Sequence, residues 1–342
     1  MLNLIGKTLK ELEQILLPYV KEPYRVRQIY HWIYQRNAKS FFEMTELSKD
    51  LRRRLDENFS INYPYKEREI PSKDGCIKFL FKLSDGKKIE SVLIPEVNRN
   101  TFCISTQVGC KMGCIYCLTG KMGFKRNLEV EEIVSQVLIL LEKVKPRDRR
   151  VNIVFMGMGE PMDNLENLKK AITLITDPNG IAISPRRVTV STIGIPGTLK
   201  SLREIAKPPK IAISINSLDE EKREFLMPAT KKFKLSDVLK EMESLKLRKG
   251  ERITIEWVLI KNINDGEDEI ERIKKLSRRV PIKVNVIPYN FSPLLPFERT
   301  EEKDAENFAL KIEREGISVT VRRRRGEDIS ASCGQLAIID EK

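Results

Sequence analysis

Three cysteines lie within eight residues of the chain, and Cys110, Cys114 and Cys117 have the spacing C-x3-C-x2-C. Thiolate is the protein ligand of iron–sulfur clusters, so three thiols on a glycine-containing loop predict ligands for three irons of a [4Fe–4S] cluster. No fourth cysteine is close by in the sequence. The fourth iron is therefore predicted to bind a small molecule, which favours catalysis over simple electron transfer.

A zinc site is the main alternative for the same three cysteines. Structural zinc takes four protein ligands, commonly from a second C-x2-C or from a pair of histidines. The only histidine of the chain, His31, lies in a different predicted domain. The sequence therefore favours a cluster over zinc.

Other residues that could do chemistry have ordinary structural explanations when they are taken alone. Free cysteines are commonly buried, so Cys103 and Cys333 could be core thiols, as we expect for Cys76. Glu90, on a predicted strand, could be an exposed carboxylate at the rim. The glycines of 157–161, Gly-Met-Gly-Glu-Pro, would let a ligand approach the backbone at the end of a strand.

Strands and helices alternate beyond residue 75 and would position these residues. Repeated βα units predict a parallel sheet with right-handed crossovers. Six strands and a possible seventh are fewer than the eight of a closed barrel, so we predict an α/β fold, a partial (β/α)6-type barrel with active groups at the carboxyl ends of its strands. The predicted strands lie near 101–106, 151–156, 187–191, 210–215, 253–259, 283–288 and 317–321, and the predicted helices at 130–144, 165–175, 235–247 and 267–279.

The first part of the chain predicts a small helical domain followed by a hairpin. Thr8 and Glu11 form a capping pattern, and Tyr24 to Tyr34 mixes arginines with aromatic residues that suit either RNA contact or a packed core. Alternating apolar residues around the Asp85-Gly86 turn predict a β-hairpin. We divide the chain into a helical domain (1–75), a β-hairpin extension (76–98), a partial barrel (99–322) and a C-terminal segment (323–342).

The charge of the chain favours a polyanionic partner. Its 342 residues include 62 Lys and Arg against 49 Asp and Glu, a formal net charge of +13. Such an excess attracts nucleic acid, although a solvated Lys/Glu-rich surface would also explain it. The run from Arg322 to Arg325 could likewise be a solvated face or a phosphate grip. Without a long apolar segment or a leader-like start, we expect a cytoplasmic protein with no membrane contact.

Five ordered motifs add a family resemblance to these patterns. With an aromatic residue before its last cysteine, the triplet resembles that of the radical S-adenosylmethionine (SAM) superfamily. The whole set resembles the dual-specificity ribosomal and transfer RNA (adenine-2-C)-methyltransferases, and it extends into the helical part. The motifs are ESVLIP at 90–95, CISTQVGC at 103–110, GMGEPM at 157–162, VNVIPYN at 284–290 and SCGQL at 332–336.

The resemblance implies roles for individual residues. Cys333 would be methylated by one SAM, and a 5′-deoxyadenosyl radical from a second SAM would remove hydrogen from that methyl group before it adds to adenine C2. Cys103 would resolve the resulting thioether through a transient disulfide, and Glu90 would act as acid or base. The SAM pocket would comprise Gly159, Glu160, Ser191, Ser214, Ile215, Asn216 and Asn290.

One position departs from the family pattern. Ser214-Ile215-Asn216 stands where the family usually has Ser-Leu-His. Asparagine still donates and accepts hydrogen bonds, but it cannot titrate near neutral pH as histidine does. SAM contact is therefore expected to persist at Asn216, whereas a proton-transfer role is not.

The resemblance also implies partners: 23S rRNA, tRNA and an electron donor such as flavodoxin or ferredoxin, with a monomeric protein as our expectation. Two alternatives stay open. A sister family that methylates adenine C8 shares the cluster and both extra cysteines. A non-enzymatic RNA-binding protein with an iron–sulfur cluster would explain the charge but would leave Cys103 and Cys333 without a role.

Overall fold

The structure, a computed structural model, describes residues 1–144 and 150–338, and no helix within these ranges is long and apolar enough to cross a membrane. The strands are β1 (Leu2–Asn3), β2 (Phe59–Ser60), β3 (Tyr65–Pro71), β4 (Ile77–Lys82), β5 (Lys88–Glu96), β6 (Arg99–Cys103), β7 (Gln107–Gly109), β8 (Phe124–Asn127), β9 (Val151–Phe155), β10 (Val188–Thr192), β11 (Lys210–Ser214), β12 (Ile253–Leu259), β13 (Ile282–Pro288) and β14 (Val319–Val321). The α-helices are α1 (Leu9–Leu16), α2 (Tyr24–Tyr34), α3 (Lys49–Asn58), α4 (Leu118–Lys121), α5 (Val130–Leu141), α6 (Leu165–Thr176), α7 (Thr198–Arg203), α8 (Glu220–Leu226), α9 (Leu235–Ser244), α10 (Glu267–Ser277) and α11 (Glu302–Arg314).

Seven parallel strands form the curved core of the main sheet, in the order β6-β9-β10-β11-β12-β13-β14. Apolar residues dominate them because helices cover the outer face, as in parallel sheets generally. The strand β14 pairs with β13 and ends the sheet on that side, so the barrel does not close through the described residues. The predicted partial barrel is therefore confirmed, including its short seventh strand.

Three antiparallel strands extend the sheet beyond β6, in the order β5-β4-β3. The sequence predicted β4 and β5, and Gly86 in their turn has a φ of +82°. Sequence reasoning missed β3, which lies near the end of the predicted helical domain (1–75). Its residues, YKEREIP, are mostly charged and partly exposed. Charge on an edge strand hinders pairing with other chains, and it also removes the apolar alternation by which strands are recognised.

In the N-terminal helical part, the residues from which the sequence predicted helices make the expected capping and core contacts. Thr8 Oγ1 accepts a hydrogen bond from the amide of Glu11, whose carboxylate accepts one from the amide of Thr8, so the predicted capping box is present. In α2, Tyr30 and Tyr34 are buried, and the Tyr30 hydroxyl donates to Asp177 beyond α6 at 2.7 Å. Both aromatic residues therefore belong to the core, and the bond from Tyr30 joins the helical part to the barrel.

A small hairpin, β7 paired with β8, holds the loop that contains the cysteine triplet. Gly109 ends β7 with a φ of +74°. A Cβ atom at this position would lie 1.8 Å from the carbonyl oxygen of Gly123, so only glycine fits. Gly123 also has a positive φ, +69°, but a Cβ there would meet no atom within 4 Å.

These two glycines provide a matched pair of variants. Gly123→Ala should cost about 1–2 kcal/mol, because alanine is strained at positive φ. Gly109→Ala should cost roughly 1–3 kcal/mol more, because the new methyl group collides with backbone in addition. Urea unfolding of the cluster-free protein would measure both losses in free energy of unfolding. Equal losses would contradict the steric argument.

Candidate active site

The cysteine triplet lies on the loop between β7 and α4, at the carboxyl end of the barrel strands. Backbone hydrogen bonds hold this loop: the amide of Ile115 donates to Leu226 at 3.1 Å, and the amide of Leu118 donates to Gly334 at 2.7 Å. All three cysteines line a cavity of about 150 Å³. No three His, Cys, Asp or Glu side chains of the described residues surround one point as ligands of a single ion would. A cluster takes one thiolate per iron, and three thiols that share one cavity fit that requirement.

Burial of the triplet affects its protonation. It raises the pKa of all three thiols, that of Cys110 to about 12, and the neighbouring cysteines raise the pKa of Cys114 further. Because metal binds the thiolate, loading these ligands must release protons and must outweigh this desolvation. The residues therefore fit a cluster that arrives with its own positive charge.

Five of the residues predicted for SAM line the same cavity: Gly159, Glu160, Ser191, Ser214 and Asn290. Asn290 Nδ2 donates to the carbonyl oxygen of Cys333 at 3.0 Å, whereas Asn290 Oδ1 is buried with no partner among the described residues. A buried acceptor without a donor calls for a missing partner. An amine or ammonium group of a ligand such as SAM would supply one.

Glu160 provides the negative charge of this cavity. Its Oε1 accepts from the amide of Met162 at 3.0 Å, and its Oε2 accepts from the amide of Ile193 at 3.1 Å. Burial raises the pKa of the Glu160 carboxyl to about 7. A bound ammonium group would stabilise the ionised form, which makes this carboxylate suited to the amino group of SAM.

The glycines at 157 and 159 serve packing. A Cβ on Gly157 would lie 2.7 Å from Ser105 Oγ, and one on Gly159 would lie 2.5 Å from the Cβ of Gln107. Both contacts are with the segment after β6, so glycine is required at these positions for packing. Both glycines also line the cavity, as the sequence argument about ligand approach predicts.

Ile215 and Asn216 are not among the residues that line the cavity. Asn216 is fully buried, its Oδ1 accepts from the amide of Val258 at 2.8 Å, and its Nδ2 donates to the Tyr116 hydroxyl at 2.7 Å. Tyr116 precedes the last cysteine of the triplet. Asparagine, where the family usually has histidine, thus braces the cluster loop against β12 instead of offering a group to a ligand.

The structure brings Cys333 and Cys103 together, although 230 positions separate them in the sequence. Cys333 lines the cavity of the triplet, and Gln335 Nε2 anchors its loop to the carbonyl oxygen of Phe291 at 2.8 Å. Cys103 is buried at the carboxyl end of β6, where burial, followed by the nearby Cys333, raises its pKa to about 12. Cys76 lies elsewhere, beside Asp74.

Glu90 is buried rather than exposed at the rim, with 5% of its surface accessible. Its Oε1 forms an ion pair with Lys78 Nζ at 3.0 Å, and its Oε2 accepts from the amide of Ala337 at 3.0 Å. Burial raises the pKa of the carboxyl, and Lys78 opposes this shift. Glu90 thus contacts the chain just after Cys333, from the side of the hairpin extension.

Two charged residues lie in the barrel interior; sequence reasoning missed Glu256 and considered Arg322 only as part of the arginine run. Glu256 of β12 is buried, and its Oε2 accepts from Asn285 Nδ2 at 2.7 Å. A lone carboxylate inside an apolar strand was the signal that could have found it. Arg322 follows β14 and donates to Met156 Sδ at 3.3 Å. Its pKa is raised, chiefly by Cys333 and then by Glu256 and Cys103.

The arginine run is therefore neither a solvated face nor a uniform phosphate grip. Arg322 points into the barrel, and Arg324 donates to the carbonyl oxygen of Thr300. Arg325 forms an ion pair with Asp74 at 2.8 Å, which fixes the C-terminal segment to the hairpin extension. Three of the four arginines therefore have different partners, whereas Arg323 is exposed.

The pair of Lys78 and Glu90 gives a pH-dependent prediction. The pKa of Glu90 is higher in the folded protein than in the unfolded chain, where it is 4.5. The stability of the fold therefore falls as pH rises from 4.5 through the pKa of the folded state. Lys78→Met removes the cation that opposes the shift, so the pKa of Glu90 should rise further and the loss should extend to higher pH. We expect a small loss near pH 5 and about 3 kcal/mol near pH 8, measured by urea unfolding.

Lys82→Met is the matched control, because Lys82 lies on the same strand but is exposed. It should change the free energy of unfolding by a few tenths of a kcal/mol at both pH values. A loss for Lys78→Met that is the same at pH 5 and pH 8 would sink the argument.

Comparisons with known proteins agree with this geometry. Residues 104–276 match the Radical SAM superfamily, and residues 2–61 match the ribosomal RNA large subunit methyltransferase N-terminal domain. A radical SAM methyltransferase structure from Sphaerobacter thermophilus superposes with a TM-score of 0.93 at 36% identity, over 98% of this chain and 99% of that one.

Two curated relatives named dual-specificity RNA methyltransferases extend the match along the chain. RlmN from Nitratiruptor is 42% identical over 98% of both chains, and RlmN 2 from Myxococcus xanthus is 43% identical over 92% of this chain and 84% of its own. With identity at this level along nearly its whole length, the chain belongs to the dual-specificity RNA methyltransferase family of radical SAM enzymes.

Proposed function

We propose that this enzyme methylates C2 of adenine in 23S rRNA and of the adenine 3′ to the tRNA anticodon. The observation that carries the proposal is the place of Cys333, which lines the cavity of the cysteine triplet and has Cys103 as a neighbour. A protein that only binds RNA would have no use for a second pair of cysteines beside a cluster site. The names of the relatives and the net charge of +13 support RNA as the substrate.

The chemistry of the substrate explains why a thiol is needed. Adenine C2 is electron-poor, so direct attack on a methyl donor is unfavourable. When bound, the cluster and two SAM molecules per turnover would supply a methyl group and remove one hydrogen atom from it. Cys333 would carry that carbon on its sulfur and present it to C2, which divides one difficult step into several easier ones.

Release of the product would depend on Cys103. Its thiolate would attack the Cys333 sulfur, so that a sulfur–sulfur bond forms and the sulfur–carbon bond to the RNA breaks. The radical adduct at C2 would first give up one electron, which the cluster can accept, and C2 would lose its hydrogen as a proton. The departing carbon would then take up a proton and become the methyl group. Glu90 would serve as the acid or base for that exchange. A reductant must then restore both thiols.

The remaining parts of the chain have roles in the same proposal. Residues 1–75 would contact RNA as the accessory domain, 76–98 would form the hairpin extension, 99–322 the barrel and 323–342 the segment with the catalytic cysteine. The cluster would take its electrons from a flavodoxin or ferredoxin. We propose a monomeric, cytoplasmic enzyme.

Nucleoside analysis after an anaerobic reaction tests this function. The reconstituted enzyme, with SAM, reductant and unmodified rRNA or tRNA, should yield 2-methyladenosine by mass spectrometry. Cys333→Ala should abolish the product while the cluster and SAM binding are kept. Cys103→Ala should also stop turnover, and it should accumulate RNA joined to the protein through Cys333, because the thioether is not resolved.

Cys76→Ala is the control, since Cys76 is a buried cysteine outside the site and should support normal turnover. Formation of 8-methyladenosine would move the activity to the sister family. Full activity of Cys333→Ala would overturn the proposed mechanism.

A further inference from the structure

The interior of the barrel consists of two connected cavities that meet at Cys333. The smaller, about 150 Å³, contains the cysteine triplet, and the larger, about 730 Å³, extends toward the opposite end of the strands. Cys333 therefore faces the smaller cavity, which fits the cofactor, and also the larger cavity, for which the cofactor has no use. Both are lined by Met156, Glu256, Ile287, Asn290 and Cys333.

The far end of the larger cavity is strongly basic. Lys210 begins β11, Lys283 is the second residue of β13, and Arg187 immediately precedes β10. Register places Lys210 beside Thr189 and Lys283 beside Thr254, so these cations lie at the amino ends of neighbouring strands. Among the described residues, nine Lys and Arg side chains line this cavity, against two carboxylates. We name Arg186, Arg187, Lys210 and Lys283 the basic mouth.

No side chain of the basic mouth forms an ion pair within the part of the chain that the structure describes. Burial, together with Lys283, Arg187, Arg248 and Arg99, lowers the pKa of Lys210, as expected where cations repel one another. Arg99, nearby, is paired with Glu96. Clustered like charges destabilise a fold, so the cluster needs another explanation than stability.

We infer that the basic mouth binds the RNA backbone beside the target nucleotide, and that the adenine reaches Cys333 through the larger cavity, from the side opposite the cluster. This inference rests on the proposed function. Chemistry in barrel enzymes takes place at the carboxyl ends of the strands. A basic cavity at the amino ends is therefore suited to the entry of an anionic substrate.

Dimensions agree with a single extruded nucleotide. Lys283 and Ile287, which borders both cavities, are four positions apart on β13, a rise of about 13 Å along the strand. Enzymes that modify a base take it out of its stack, and the flanking phosphates stay outside. Phosphates held at the mouth would thus leave the base beside Cys333, on the side away from SAM.

RNA affinity, which does not require turnover, tests the inference. The probe is an unmodified anticodon stem-loop RNA, with binding to the cluster-loaded enzyme followed by fluorescence anisotropy between 50 and 200 mM salt. Lys210→Ala/Lys283→Ala should weaken binding about tenfold and should lower the slope of log K against log salt by about 1.4, which is two phosphate contacts at ~0.7 each. Cleavage of SAM without RNA should be unchanged.

Lys275→Ala/Lys303→Ala is the matched control, because both lysines are exposed on the outer helices α10 and α11 and the change of charge is equal. It should leave affinity and slope within twofold of the parent enzyme. Equal weakening by the two double variants, or weakening with no change of slope, would overturn the inference. If the mouth variant weakens RNA binding as expected but the parent enzyme forms no methyladenosine, the inference about the basic mouth stands and the proposed reaction is wrong.

Discussion

The active site depends on the contact between the cluster loop and the C-terminal segment. The amide of Leu118, which directly follows the last cysteine of the triplet, donates to the carbonyl oxygen of Gly334 at 2.7 Å. Thr119 Oγ1 adds a bond to the carbonyl oxygen of Leu336 at 2.5 Å. These bonds join parts of the chain more than 200 residues apart, and they place Cys333 beside the triplet. Without these bonds, the cysteine triplet and Cys333 would lie in separate sites.

The barrel interior also contains several buried ionisable groups whose pKa values are shifted by burial. Desolvation raises the pKa of Glu90, Glu160 and Glu256 as well as that of Cys103 and of the triplet, so the protein groups by themselves favour neutral acids and thiols. Arg322 opposes this shift at Cys103. Cationic ligands would shift these acids toward their ionised forms. The site is thus electrostatically prepared for ligands that bring positive charge, such as iron and a sulfonium compound.

The two ends of the barrel differ in their charges. Glu160 and the thiols lie at the carboxyl ends of the strands, whereas the basic mouth lies at the amino ends. A cationic cofactor and an anionic substrate would therefore be drawn to opposite ends of one interior. Cys333, at the junction, is the residue that both would reach.

Local patterns in the sequence determined much of this protein: the cysteine spacing, the capping box at Thr8, the alternation of strands and helices, and the family motifs around Cys103 and Cys333. These features can be predicted from the sequence because ligand spacing and hydrophobic periodicity involve residues that are neighbours in the chain. Only the tertiary structure decided which cysteines meet, that Glu90 is buried with Lys78, that Asn216 braces Tyr116 and that cations gather at the amino ends of separate strands. Strand β3 was not predicted because pairing across a sheet depends on residues distant in sequence and its charged residues lack apolar alternation. The lone carboxylate of Glu256 was visible in the sequence, but its burial and its partner Asn285 were decided by the tertiary structure.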